Sequence, residues 1–383
     1  MKKNKVILGC AAVLSVVLLS MLVYILFFRF ENIEILIQGV FGDSGRVLNV
    51  QNTYFGVDDG RIYNLDDNST IYQTNDKSAK VKVYDDIVWV FDENSSKNLV
   101  AFDAKWNMVG SYEIPSDIID FLVCSNVIFC IMPNDMQAFC LKEDGSKTEI
   151  AIEFEQLYID EAIELSVHRY KSEYADCVMF KELEGKHSYY VIADAEYKHV
   201  IEYVGPPLCV LLFDSNRLVY SDRGLDKRTF TEYCFSLGSC NIYNANVSSD
   251  KVSFMNQFVL HNNDEYIVCF GQTTSNSGPK RSGTSEMKGH ISDHLYCIDK
   301  NDFSKQFEHK TKTFERIIYA DSEKAITYYD GEYLTYSLED WKVIDKQDAD
   351  EIKDGGSYFF EACGEYLFVF DNKTDKLINK LKV

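Results

Sequence analysis

Apolar residues in this chain come in short runs of four to six that alternate with polar turns, and the arrangement recurs. Residues 59–73, DGRIYNLDDNSTIYQ, show it: Ile62, Tyr63 and Leu65 lead into Asp66-Asp67-Asn68-Ser69, and Thr70, Ile71 and Tyr72 lead out. Side chains of a strand alternate between faces, and Asp and Asn tolerate the backbone of tight turns, so this stretch predicts a hairpin. The same plan returns at 87–112, 127–152, 177–203, 217–237, 265–270 with 293–309, 325–345 and 358–381. A further apolar run usually precedes each copy, as in IIDFLV (118–123), CVLLF (209–213) and ERIIYA (315–320).

Four strands per unit at a pitch of roughly 40 residues predict an all-β chain whose units are the blades of a β-propeller. Two packed β-sandwiches would also give short strands, but they do not require similar units in a row. The count is eight blades, or seven if the end units share one. NIEILIQGV (32–40) is a candidate closing strand, because a ring must be sealed to leave no open sheet edge. The domain reading is therefore 1–29 as a tip and anchor, 30–45 as linker or closing strand, and 46–383 as the propeller.

The first thirty residues follow a different pattern. Lys2, Lys3 and Lys5 precede an uncharged run from Val6 to Phe28, and Arg29 follows. As a helix at 1.5 Å per residue this run is about 34 Å long, enough to cross a bilayer core. Its length and its end in YILFFRF, without small residues, predict an uncleaved anchor rather than a signal peptide. The excess of lysines before the span predicts a cytoplasmic N-terminus and an external propeller in the cell membrane.

Composition narrows the partners. The net charge is −21, and it is close to −25 beyond residue 29, where 35 basic residues face 60 acidic ones. Nucleic acid is excluded as a partner on that ground, as is global adhesion to anionic lipid. Ten of the eleven cysteines lie beyond the anchor, mostly in strand-like runs such as FLVCSNVIFCIM. They read as buried thiols, with one or two bridges allowed. There is no C-x-x-C, phosphate loop, G-x-G-x-x-G or G-x-S-x-G, and no cofactor is implied.

DGRIYNLDDNSTIYQ and LFVFDNKTDKLINKL resemble the repeat of quinoprotein-like propellers: a strand ending in an apolar residue and Asp, a tight turn, and a departing strand. NLVAFDAKWNMVGSY is similar to it more loosely. Two features of that family's enzymes are missing. Only Trp89, Trp106 and Trp341 are present where a regular tryptophan would lock neighbouring blades, and there is no adjacent-cysteine pair to back a quinone. The resemblance implies the fold and a non-catalytic, membrane-anchored relative.

Two candidate sites remain. His290, Asp293 and His294 in HISDH could ligate a metal, against the plainer reading of loop histidines. More distinctive are three connections that read as long ones between the second and third strands of consecutive units: 181–188, 221–228 and 271–292. They carry Lys181, Lys186, Arg223, Lys227, Arg228, Lys280, Arg281 and Lys288 on an otherwise acidic domain. Long connections without structure of their own are often functional. These predict a rim that holds a protein or glycan partner, in a binding or scaffold module. The alternative is a propeller hydrolase or lyase with carboxylates in its central funnel.

Overall fold

The computed structural model describes residues 33–38 and most of 46–383; residues 1–32, 39–45, 151–164 and parts of other connections lie outside the described residues. The described residues are strands and turns, and among them no helix is long and apolar enough to cross a membrane. The proposed anchor Val6–Phe28 lies outside the described residues.

Among the described residues the strands form eight sheets in chain order. The first contains Val47–Val50, Thr53–Asp58, Arg61–Asn64 and Thr70–Gln73. The second runs from Lys80–Tyr84 to Met108–Glu113, the third from Asp120–Cys124 to Lys147–Ile150, and the fourth from Leu165–Lys171 to His199–Val204. The fifth begins at Leu208–Phe213, the sixth at Val252–Ser253 and Val259–Asn262, and the seventh at Arg316–Ala320. The eighth joins the two ends of the chain. Glu34–Gln38 pairs in parallel with Ser357–Cys363, followed by Tyr366–Asp371 and Lys376–Lys382.

The sheets stack face to face, which is why many strands are apolar throughout rather than alternating. In Ile87–Phe91, Val88 and Val90 pack with Leu48, Phe55 and Ile62 of the first sheet. Trp89 and Phe91, pointing the other way, pack with Phe121 and Ile128 of the third. In the eighth sheet Tyr358 and Phe360 join the core of the seventh, whereas Phe359, Phe368 and Phe370 meet Val47 of the first. The last sheet thus lies against the first, and the ring is closed.

Aromatic locks sit in the turn after the third strand. Trp341 stacks on His309 of the sixth sheet at 4.4 Å and on Tyr336 at 4.7 Å. Trp106 meets Phe55 of the first sheet edge-on at 5.3 Å, and Phe303 meets Phe230 and Tyr243 of the fifth. The regular tryptophan missing from the sequence is therefore replaced at three junctions by two tryptophans and a phenylalanine, each in the turn between third and fourth strands. Trp106 and Trp341 take this position at φ of 63° and 51°, uncommon for a bulky residue.

The acidic clusters of these turns close the turns themselves. Asp103 accepts the N–H groups of Lys105 and Asn107 at 2.9 and 2.8 Å, and Asp371 those of Lys373 and Thr374, both at 2.9 Å.

Candidate functional site

Strand alternation gives the ring two rims. In the first seven sheets, the turns between second and third strands share a rim with the links between sheets; we call it the linker rim. Backbone bonds tie it together, with the Thr74 N–H donating to the Gly60 carbonyl at 3.0 Å and Ala349 to Gly331 at 2.8 Å. The first-to-second and third-to-fourth turns form the opposite, hairpin rim, where Leu141 donates to Asn126 and Leu338 to Glu323.

The three basic connections leave from the linker rim, because they join the second and third strands of the fourth, fifth and sixth sheets. Their lengths differ from the sequence reading. Lys181 lies inside the strand Asp176–Glu182, paired with Ser166 and Ser188, so the first connection shrinks to 183–186. The second is 223–228, and the third, 274–293, alone is long. Backbone ladders continue through polar residues when neither face demands burial, so the polar run overstated the loop. Glu286–Met287 of the long connection pairs antiparallel with Ile37 and Gln38 of the N-terminal strand.

Lys186, Arg223, Lys227, Arg228, Lys280, Arg281 and Lys288 lie outside the described residues, as do His290 and Asp293. His294 begins the strand His294–Asp299, paired with Gly271 and Lys310. Among the described residues no cluster of metal-ligating side chains forms.

The buried polar groups hold neighbouring elements together. Glu361, 3% exposed, accepts the N–H groups of Arg46 and Val47 at 2.8 and 3.2 Å, joining the last sheet to the first. The Arg46 guanidinium lies 2.8 Å from Asp375 and over the Phe359 ring at 4.4 Å. Asp120 receives a hydrogen bond from Lys82 of the second sheet at 2.7 Å. Glu351, on the link between the last two sheets, accepts from Tyr333 at 2.5 Å and from Asn379. Glu315 accepts from Thr327 at 2.7 Å. The buried Tyr336 hydroxyl stands by that carboxylate without hydrogen-bond geometry, and burial and the nearby charge raise its pKa. Burial likewise pushes the Cys130 and Cys363 thiols up to about 12 and raises that of Cys297, so these thiols are poor nucleophiles. Sequence reasoning missed these carboxylates because each meets its partner on another strand or link and not within its own turn.

No known protein family matches the chain, and no curated protein does. Solved structures do. The computationally designed Ika8 protein is similar with a TM-score of 0.52 at 9% identity, over 91% of this chain and 99% of that one. The dihydro-heme d1 dehydrogenase NirN matches with a TM-score of 0.50 at 13% identity, over 91% of this chain and 78% of that one. Sqt1 of Saccharomyces cerevisiae matches with a TM-score of 0.50 at 7% identity, over 91% and 98%. At such identities the likeness concerns fold alone, and together with the closed ring of stacked four- and five-stranded sheets it makes this chain a β-propeller.

Proposed function

We propose that the chain is an external, eight-bladed propeller tethered to the cell membrane by Val6–Phe28, acting as a binding or scaffold module for a protein or glycan partner. The partner is anionic and docks on the linker rim at the fourth to sixth blades, through Lys181, Lys186, Arg223, Lys227, Arg228, Lys280, Arg281 and Lys288. The observation that carries this reading is the strand order, which sends all three basic connections out of one rim. A local cationic sector on a domain near −25 attracts an anionic surface, and salt screens that attraction beyond roughly 8–10 Å.

The test is capture from membranes with residues 30–383 as bait, repeated with Arg228, Lys280 and Arg281 changed to Glu. Loss of captured partner with an unchanged melting temperature supports the reading. Equal capture by both proteins refutes it.

A further inference from the structure

We infer that the linker rim faces the bilayer and the hairpin rim faces away from it. The inference rests on the anchor proposed above and adds the direction in which the propeller is held.

The direction follows from the eighth sheet. Ser357–Cys363 starts at the linker rim: the neighbouring Tyr358 hydroxyl accepts the Lys353 N–H at 2.6 Å, on the link from the seventh sheet. Asn372, whose N–H donates to the Ser357 carbonyl, also accepts from the Arg46 side chain at 2.8 Å. Arg46 leads into the first strand of the first sheet and so belongs to that rim. The far end of Ser357–Cys363 reaches the hairpin rim. There a Cβ on Gly364 would lie 2.3 Å from the Tyr54 hydroxyl and 3.0 Å from the Asn49 amide, both beside the first turn of the first sheet. Glu34–Gln38 runs parallel to this strand, with Glu34 opposite Ser357 and Ile37 opposite Phe360. The chain therefore enters the ring through the linker rim.

It also enters on the inner side. Glu34–Gln38 pairs along the edge of Ser357–Cys363 remote from the outer strands Tyr366–Asp371 and Lys376–Lys382. Only residues 29–33 separate Phe28 from this strand. Fully extended, five residues reach roughly 17 Å, too little to leave the inner part of one rim and round the perimeter to the other. A membrane span ending at Phe28 thus holds the linker rim against the headgroups. Whatever binds the basic connections on that rim is met at the membrane surface, whereas a soluble partner approaching from outside finds the hairpin rim first.

The test uses the full chain in phosphatidylcholine–phosphatidylglycerol vesicles that carry an acceptor-labelled lipid. Single exposed positions are changed to cysteine and labelled with a donor: Asp350→Cys and Thr374→Cys on the linker rim, Lys105→Cys and Ser322→Cys on the hairpin rim. The unsubstituted chain, labelled in parallel, gives the background from native thiols. Strands of six residues put the rims roughly 20 Å apart, a distance over which energy transfer changes steeply. Stronger transfer from positions 350 and 374 than from 105 and 322 is the expected result. Equal or reversed transfer in protein that floats with the vesicles overturns the orientation and leaves the anchor standing. Protein that does not float overturns the anchor, and the orientation with it.

Discussion

Trp341 stacks on His309 with ring centroids 4.4 Å apart and planes 5° from parallel, pinning the seventh sheet to the sixth. The imidazole Nε2 also bonds the Leu338 carbonyl at 2.8 Å, so the same histidine holds both the ring and the backbone of the turn. Trp341→Ala removes the ring from both its stacking partners. The expected loss is about 3 kcal/mol, the low end for truncating a large aromatic residue, read from denaturant unfolding.

Burial lowers the His309 pKa, against the opposing effect of its bond to Leu338. The folded state therefore prefers the neutral ring. Stability from this preference is fully present above the unfolded value of about 6.5 and is lost as pH falls through the lower folded value. The melting temperature should decline as pH falls below about 6.5, beginning above the usual carboxylate range. In His309→Phe, which keeps an aromatic ring but cannot titrate, the decline should be shallower. An identical slope in both proteins would exclude His309 as its source.

Glu361 tests ring closure. Glu361→Ala leaves the backbone N–H groups of Arg46 and Val47 without their acceptor, and about 1–3 kcal/mol should be lost for each of these donors. Glu361→Gln keeps one acceptor oxygen and should cost less. Chemical denaturation of the two variants separates them, and equal losses would contradict the assigned contacts.

The N-terminal strand should be indispensable. Ile35, Leu36 and Ile37 are each no more than 2% exposed against the eighth sheet and its neighbours. Burying one such side chain contributes about 1.5–3 kcal/mol. A chain beginning at residue 30 should melt cooperatively, whereas one beginning at residue 46 should melt far lower or aggregate. Similar melting curves for the two would show that the strand does not seal the ring.

Thiol reactivity follows from burial. Cys130 and Cys297 are wholly buried and Cys234 nearly so, and raised thiol pKa values keep Cys130 and Cys297 protonated at pH 8. Labelling of these residues should be slow in the native protein and rapid in denaturant without reductant. Mass spectrometry that places any of them in a disulfide would overturn this.

The sequence by itself determined the strands, the turns and hence the propeller. Short apolar runs bounded by recurring Asp, Asn and Gly turns read as strands, and Asp103 or Asp371 before a tight turn closes it locally, because those interactions span a few residues. The long 274–293 connection was visible for the same reason. Other features depended on contacts between residues distant in sequence. Lys181 and Ser188 look like loop in a polar run, yet the ladder between their strands extends as far as this pair. Trp106, Phe303 and Trp341 share no motif, but the turn between third and fourth strands aims each at the preceding sheet. Glu361 and Arg46 are 315 positions apart. That the N-terminal strand lies parallel to Ser357–Cys363, and so enters through the linker rim, was decided only when the last sheet met the first.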